Sequence, residues 1–206
     1  MDFLLKTFIN INPNFTNMLN KNEFNKIRHE MHKLDLKREE VIQLSREIIT
    51  ISKQIIYAAQ RNDLNEADKA IKLIKSKVNK LKKININTDI NINSVALQEY
   101  VEAVAFYEFV KNKKIPTKAS LGVSAEDYLI GLCDLTGELV RKAIYDVIHK
   151  RFDEAERIKE LVHGIYGEFL KLHLRNGELR KKSDSIKWNL KKLEEVMYDI
   201  SMKGRR

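Results

Sequence analysis

The feature that most constrains the fold of this chain is its shortage of glycine and proline. The 206 residues include only seven Gly and two Pro, at Pro13 and Pro116. Tight hairpins and frequent short loops draw on these residues, so the chain has few places to turn sharply. This composition excludes all-β and doubly wound folds and favours long helices.

Between these breaks, apolar residues recur every three or four positions, as they do in amphipathic helices. The pattern predicts helices over 24–61, 62–83, 94–111, 124–149, 153–174 and 178–202. Residues 82–94, KKININTDININS, are typical of a polar linker. We therefore predict an all-α bundle of six or seven helices with a long N-terminal helix. Because residues 1–24 are rich in Asn, we predict an irregular lead-in there and one helical domain over 25–206.

The charge balance points to a polyanionic partner. The chain has 38 Lys and Arg against 29 Asp and Glu, a formal charge of +9. No apolar run approaches the roughly 20 residues needed to cross a bilayer, and the start MDFLLKTFIN lacks the features of a signal peptide. The single cysteine, Cys133, has no internal disulfide partner. We expect a cytoplasmic protein with no membrane partner.

The predicted third helix carries two acids although its pattern leaves almost no solvent face. Apolar and aromatic residues surround nearly its whole circumference, so the helix is expected to be buried. Glu99 and Glu102 lie three positions apart, close enough to converge on one bound group. Burying ionised carboxylates is costly, so these two must pair with Lys or Arg of a neighbouring helix, carry protons or bind a metal.

The predicted fourth helix has a second acidic stripe. Asp134 and Glu138 lie one turn apart with Arg141 on the side opposite its apolar residues, and Gly131 and Gly137 flank the stripe. Each glycine costs about 1 kcal/mol relative to Ala in a helix interior, so both suggest close approach of another backbone or a ligand. The alternative is a solvated face with a Glu138–Arg141 pair.

These acids form an all-oxygen set that suits Mg²⁺ or Mn²⁺. Ions held by carboxylates can activate water and stabilise the leaving oxygen of a phosphodiester. On the first helix, Arg46 and Lys53 share a face, and Arg38 and Arg61 extend the positive line. This line is either a nucleic-acid contact or an ordinary solvated surface.

Other candidate ligands have simpler explanations. Glu160 and His163 form one Glu-x-x-His step, whereas a di-iron bundle needs two such steps and two further Glu, so a polar helix face is the better interpretation. His29 and His32 are interpreted as surface residues. Cys133 lies among apolar positions and is interpreted as a small core residue.

Four segments together resemble the translin family: REEVIQLSREIITISKQIIYAAQR (38–61), LQEYVEAVAFYEFV (97–110), VSAEDYLIGLCDLTGELVRKAI (123–144) and LKKLEEVMYDISMKG (190–204). The resemblance covers Arg38 to Lys203 in the family's order. Within the family it is closer to translin-associated factor X, the catalytic member, because translin lacks acids corresponding to Glu99 and Glu102.

The resemblance implies a seven-helix subunit in a hollow, roughly octameric shell, where a Mg²⁺- or Mn²⁺-dependent endoribonuclease cleaves single-stranded RNA. By position, Glu99, Glu102 and Asp134 match the catalytic metal ligands, and Glu138 matches an adjoining acid. A single chain that both forms the shell and cleaves RNA is similar to archaeal members, which form homo-oligomers. Arg141 joins Arg38, Arg46, Lys53 and Arg61 as predicted nucleic-acid contacts. The alternative function is a non-catalytic scaffold that binds RNA or single-stranded DNA.

Overall fold

The computed structural model describes residues 19–84 and 92–203, and the predicted all-α fold is confirmed in these ranges. They contain no strand and form seven helices: α1 (Lys21–Gln60), α2 (Leu64–Lys83), α3 (Ile92–Asn112), α4 (Lys118–Leu121), α5 (Ala125–Ile148), α6 (Phe152–Leu170) and α7 (Glu178–Lys203). In none of these helices is there a stretch long and apolar enough to span a membrane.

The start of α1 corrects the predicted lead-in. The side-chain Oδ1 of Asn20 accepts hydrogen bonds from the backbone N–H groups of Asn22 and Glu23, at 3.1 and 3.2 Å. Asn20 therefore caps the helix, and residues 21–24 are helical rather than irregular. The Asn-rich composition predicts turns, but one of these Asn residues caps the helix. The rest of the predicted lead-in, 1–18, lies outside the described residues.

Side-chain caps also begin α2 and α5. Asp63 accepts from the N–H of Glu66 at the start of α2, and Ser124 accepts from the N–H of Asp127 at the start of α5. The short helix α4 was not predicted, and Thr117 caps it. The predicted fifth helix was too long, since α6 ends at Leu170. Of the predicted linker, 85–91 lie outside the described residues.

The chain divides into two compact units, residues 1–40 and 41–206. In the first unit, every described side chain is exposed. In the second unit, α5 packs against α3, α6 and α7. Apolar residues that recur every three or four positions on α1 and α2 are buried there: Val41, Leu44, Ile48, Ile51 and Ile55 of α1, and Ala67, Ile71, Ile74, Val78 and Leu81 of α2.

The two glycines of α5 have different surroundings. A Cβ atom on Gly131 would lie 2.7 Å from the Cβ and Cγ1 of Val101 and 2.8 Å from the backbone O of Gln98. Helices α3 and α5 therefore touch at Gly131, as its presence predicted. A Cβ on Gly137 would meet only the side-chain amide of Asn189, at 3.9 Å, which is ordinary contact. No other backbone of the described residues comes close to Gly137, because the neighbouring helix there is α7 at a larger distance; close approach of a ligand at Gly137 stays a prediction.

A buried carboxylate links the first turns of α3 and α5. Asp127, only 7% exposed, accepts hydrogen bonds from the hydroxyls of Ser94 and Ser124 and from the amide of Gln98. Gln98 directly precedes Glu99 on α3, and Asp127 lies seven residues, about two turns, before Asp134 on α5. Together with the contact at Gly131, this network determines which turns of α3 and α5 face each other.

Candidate functional site

One open cavity of about 600 Å³ brings the predicted acids together. Four helices contribute to it: α1 supplies Lys53, Ile56, Tyr57 and Gln60; α3 supplies Glu99 and Glu102; α5 supplies Asp134, Glu138 and Arg141; α7 supplies Lys182. All four acids singled out in the sequence therefore line the same space. The convergence follows from the close packing of α3 on α5 at Gly131.

The two acids of α3 have no cation bound to them in the part of the chain that the structure describes. Neither Glu99 nor Glu102 forms an ion pair or hydrogen bond with a residue of the described ranges. Burial, and then the charges of Asp134, Glu99 and Glu138, raise the pKa of Glu102 from its ordinary value near 4.5 to about 8. Burial also raises the pKa of Glu99, which the charge of Lys53 partly offsets. Of the three interpretations left open for this pair, pairing with Lys or Arg is excluded among the described residues.

The raised pKa of Glu102 predicts how stability depends on pH in metal-free protein. Between pH 4.5 and about 8 the folded state binds a proton that the unfolded chain has released, so the free energy of unfolding falls as pH rises through this window. We expect Glu102→Gln to remove part of that fall. Denaturant unfolding in EDTA at several pH values from 5 to about 9 measures the free energy of unfolding. A Glu102→Gln variant whose free energy of unfolding falls with pH as steeply as that of the parent contradicts the assignment of this fall to Glu102.

Asp134 is held by a lysine of another helix. The Nζ of Lys182 lies 2.8 Å from Oδ1 and 2.7 Å from Oδ2 of Asp134. Burial alone would lower the pKa of Lys182, but its hydrogen bonds with Asp134 and the charge of that carboxylate outweigh burial and raise it. Lys182 does not stand out in the sequence, because it is one of 38 Lys and Arg residues and carries no local signal.

Glu138 is held in place by two partners. Arg141 donates to Oε1 at 2.9 Å, and the amide of Gln60 donates to Oε2 at 3.1 Å and to the backbone O of Glu138 at 2.9 Å. The Glu138–Arg141 pair considered in the sequence is therefore present, and it borders the cavity with 67% of the Arg141 side chain exposed. Only 17% of the Glu138 side chain is exposed.

The donor chemistry fits a hard divalent cation, but the present arrangement does not surround one. Four carboxylates face one cavity, and two of them have no ion-pair or hydrogen-bond partner within residues 19–84 and 92–203. In the described ranges, however, no three His, Cys, Asp or Glu side chains are arranged to hold a metal ion. In this structure the ammonium of Lys182 contacts both oxygens of Asp134, the atoms that Asp134 would offer to a cation.

Two of the five predicted nucleic-acid contacts, Lys53 and Arg141, line the cavity. The guanidinium of Arg61 lies 4.2 Å above the ring of Tyr57, which lines the cavity and is 61% exposed. Tyr57 was also missed, although it lies four residues after Lys53 and so shares its helix face.

Two other predicted contacts lie elsewhere. Arg46 is exposed on α1 two turns before Lys53 and does not line the cavity, and Arg38 is an exposed residue of the first unit. Their role with nucleic acid stays a prediction. Cys133 is buried, as predicted, and burial raises its pKa to about 12. Glu160 and His163 are exposed and border a separate shallow pocket.

Comparison of the sequence with known families gives one match over most of the chain. The sequence profile of the Translin family matches residues 36–204. Translin of Gallus gallus is 32% identical over 122 residues, 52% of this chain and 53% of that protein. An uncharacterized protein of Methanocaldococcus jannaschii is 30% identical, covering 72% of this chain and 68% of its own length. Translin-associated protein X of Pongo abelii is 25% identical, covering 88% and 78%.

The fold is also similar to solved structures. Apo-NeC3PO superposes with a TM-score of 0.79 at 32% identity, covering 87% of this chain and 97% of that one. AfC3PO in complex with duplex RNA has a TM-score of 0.78 at 25% identity, covering 89% and 98%. The matches to translin sequences are shorter, and this chain spans about half the length of those relatives.

Proposed function

The chain belongs to the translin family, and from that premise we propose that it is a metal-dependent endoribonuclease acting on single-stranded RNA inside a homo-oligomeric shell. The observation that carries the proposal is the pair Glu99 and Glu102, which faces Asp134 across one cavity and has no cation bound to it among the described residues. A structural ion-pair network would have supplied each acid with its own partner.

Glu99, Glu102 and Asp134 would hold Mg²⁺ or Mn²⁺, which when bound would activate water and stabilise the charge that develops on the phosphodiester. Glu138 accepts hydrogen bonds from Arg141 and Gln60. It therefore positions Arg141 at the cavity rim, where a phosphate can approach. The carboxyl of Glu102 must lose its proton before it can ligate a cation.

The rim of the cavity has the groups that single-stranded RNA needs. Lys53 and Arg141 offer positive charge for phosphates, and the exposed Tyr57 ring with Arg61 stacked on it offers a flat surface for an unpaired base. Arg46, on the same unit as the cavity, would add positive charge on α1, and a role for Arg38 with nucleic acid stays a separate prediction. The similar AfC3PO has a structure in complex with duplex RNA, so binding should be compared for single-stranded and duplex RNA.

Self-association is supported by an apolar seam on the exposed first unit. Phe24, Ile27, Met31 and Leu34 are 42–53% exposed and follow one another at intervals of three, four and three residues. This is the spacing of a helix face that packs against another helix, and solvent-exposed rows of this kind mark interaction surfaces. We propose that this seam contributes to contacts between copies. The octameric number follows from the family resemblance.

The test is cleavage of a labelled single-stranded RNA with Mg²⁺ and with excess EDTA. We expect product only with the cation, and Mn²⁺ should substitute for it. Equal product with and without chelator would end the metal-nuclease proposal. No product under either condition, together with RNA binding in a gel-shift assay, would favour the second candidate.

That second candidate is a translin-like scaffold that binds RNA or single-stranded DNA without cleaving it. One observation favours it: Lys182 already neutralises Asp134, and among the described residues no three ligands are arranged around an ion. A scaffold would bind nucleic acid equally well in EDTA, whereas a metal nuclease would also need the cation for turnover.

A further inference from the structure

Lys182 is placed as a counter-ion inside the acidic cavity. Its Nζ bonds to both oxygens of Asp134 at 2.7 and 2.8 Å, although it comes from α7 and the acids come from α3 and α5. The side chains of Lys182 and Asp134 are 36% and 30% exposed. A pair that is shielded to this degree interacts more strongly than a pair on an open surface.

The charge of Lys182 also reaches the two unpaired acids. It favours the ionised forms of Glu99 and Glu102, opposing the effects of burial and of the neighbouring carboxylates. The other cavity cations are engaged differently, since Arg141 is bound to Glu138 and Lys53 acts on Glu99 without a hydrogen bond to it. Among the described cavity residues, Lys182 is the cation bound directly to a proposed metal ligand.

We propose that Lys182 competes with the divalent cation for Asp134 and thereby sets the metal affinity of the cavity. The inference rests on the proposed metal-dependent function. Both cations need the same two oxygens, so binding of one must weaken binding of the other by the same factor. In this arrangement the ammonium of Lys182 supplies positive charge beside Asp134 when no metal ion is present, and it must leave Asp134 when a metal ion binds.

The experiment measures Mn²⁺ binding to the full-length protein without RNA, from the electron paramagnetic resonance signal of free Mn²⁺. Lys182→Met removes the competing charge and keeps the length of the side chain. We expect it to bind Mn²⁺ about tenfold more tightly than the parent, a coupling within the usual range. Lys182→Arg keeps the positive charge and should bind Mn²⁺ close to the parental affinity.

Lys191→Met is the matched control. Lys191 lies on the same helix and pairs with Glu195 at 3.7 Å, but both side chains are more than 60% exposed and neither lines the cavity. The control should leave Mn²⁺ binding unchanged. If Lys182→Met does not fold, Lys182→Gln removes the same charge with a polar side chain and takes its place. Thermal melting with and without Mn²⁺ gives a second readout, because a tighter site produces a larger rise in Tm.

The outcomes separate this inference from the function on which it rests. If the parent binds Mn²⁺ and Lys182→Met binds it equally well or more weakly, competition by Lys182 is overturned while the metal site stands. Absence of Mn²⁺ binding in both the parent and Lys182→Met would overturn the metal site itself and the inference with it. Binding that appears only when Lys182 is neutralised would support the inference.

Discussion

Glu102→Gln should reduce cleavage of single-stranded RNA by at least about 100-fold, the loss typical of removing one group that stabilises developing charge. A neutral amide is a poorer ligand for a hard cation than a carboxylate. The fold should survive, because the pKa of Glu102 is about 8 and the metal-free protein at neutral pH already carries this carboxyl mostly protonated. An amide is close in shape and charge to that protonated form.

The measurement combines labelled-RNA cleavage, gel filtration and a gel-shift assay. Asp134→Asn should give the same loss of cleavage, while assembly and RNA binding stay near parental values for both variants. Glu108→Gln is the matched control, since Glu108 lies on α3, bonds to Asn112 and does not line the cavity. A Glu102→Gln protein that cleaves at the parental rate contradicts the assignment of the acids.

Gly131→Ala should destabilise the protein, although Ala is the better helix former. The new Cβ would lie 2.7 Å from two carbon atoms of Val101 and 2.8 Å from the carbonyl oxygen of Gln98, so α3 or α5 must shift. Overpacking of this kind costs about 1–3 kcal/mol, which exceeds or cancels the gain of about 1 kcal/mol from helix propensity. We expect a lower denaturation midpoint.

Gly137→Ala on the same helix is the control for the Gly131 prediction. Among the described residues, its Cβ would have one neighbour within 4 Å, an amide nitrogen of Asn189 at 3.9 Å, so helix propensity should stabilise the protein by up to about 1 kcal/mol. Urea unfolding compares the two variants. Equal shifts in midpoint would show that the α3–α5 contact at Gly131 is not tight.

The Gly131→Ala substitution should also weaken Mn²⁺ binding. Val101 lies between Glu99 and Glu102, so a displacement of the helices at Gly131 would move these two acids relative to Asp134.

The helices and the acids could be predicted from the sequence because their signals are local. Helical periodicity places Val41, Leu44 and Ile48 on one face regardless of what covers that face. The spacing of Glu99 and Glu102 likewise places two carboxylates on one turn, and an apolar surrounding makes them unusual. Caps such as Ser124 depend on hydrogen bonds within three residues. One cap was missed at Asn20, where surrounding Asn residues favoured a turn.

The sequence by itself therefore determined an all-helical chain with two acidic helix faces and a surplus of positive charge. Only the tertiary structure decided that those faces share one cavity, that α3 touches α5 at Gly131 and not at Gly137, and that Lys182 and Tyr57 belong to the site. Such contacts join residues far apart in the chain, and their geometry depends on how side chains of different helices interlock. No pattern within one helix records which of 38 cations meets Asp134.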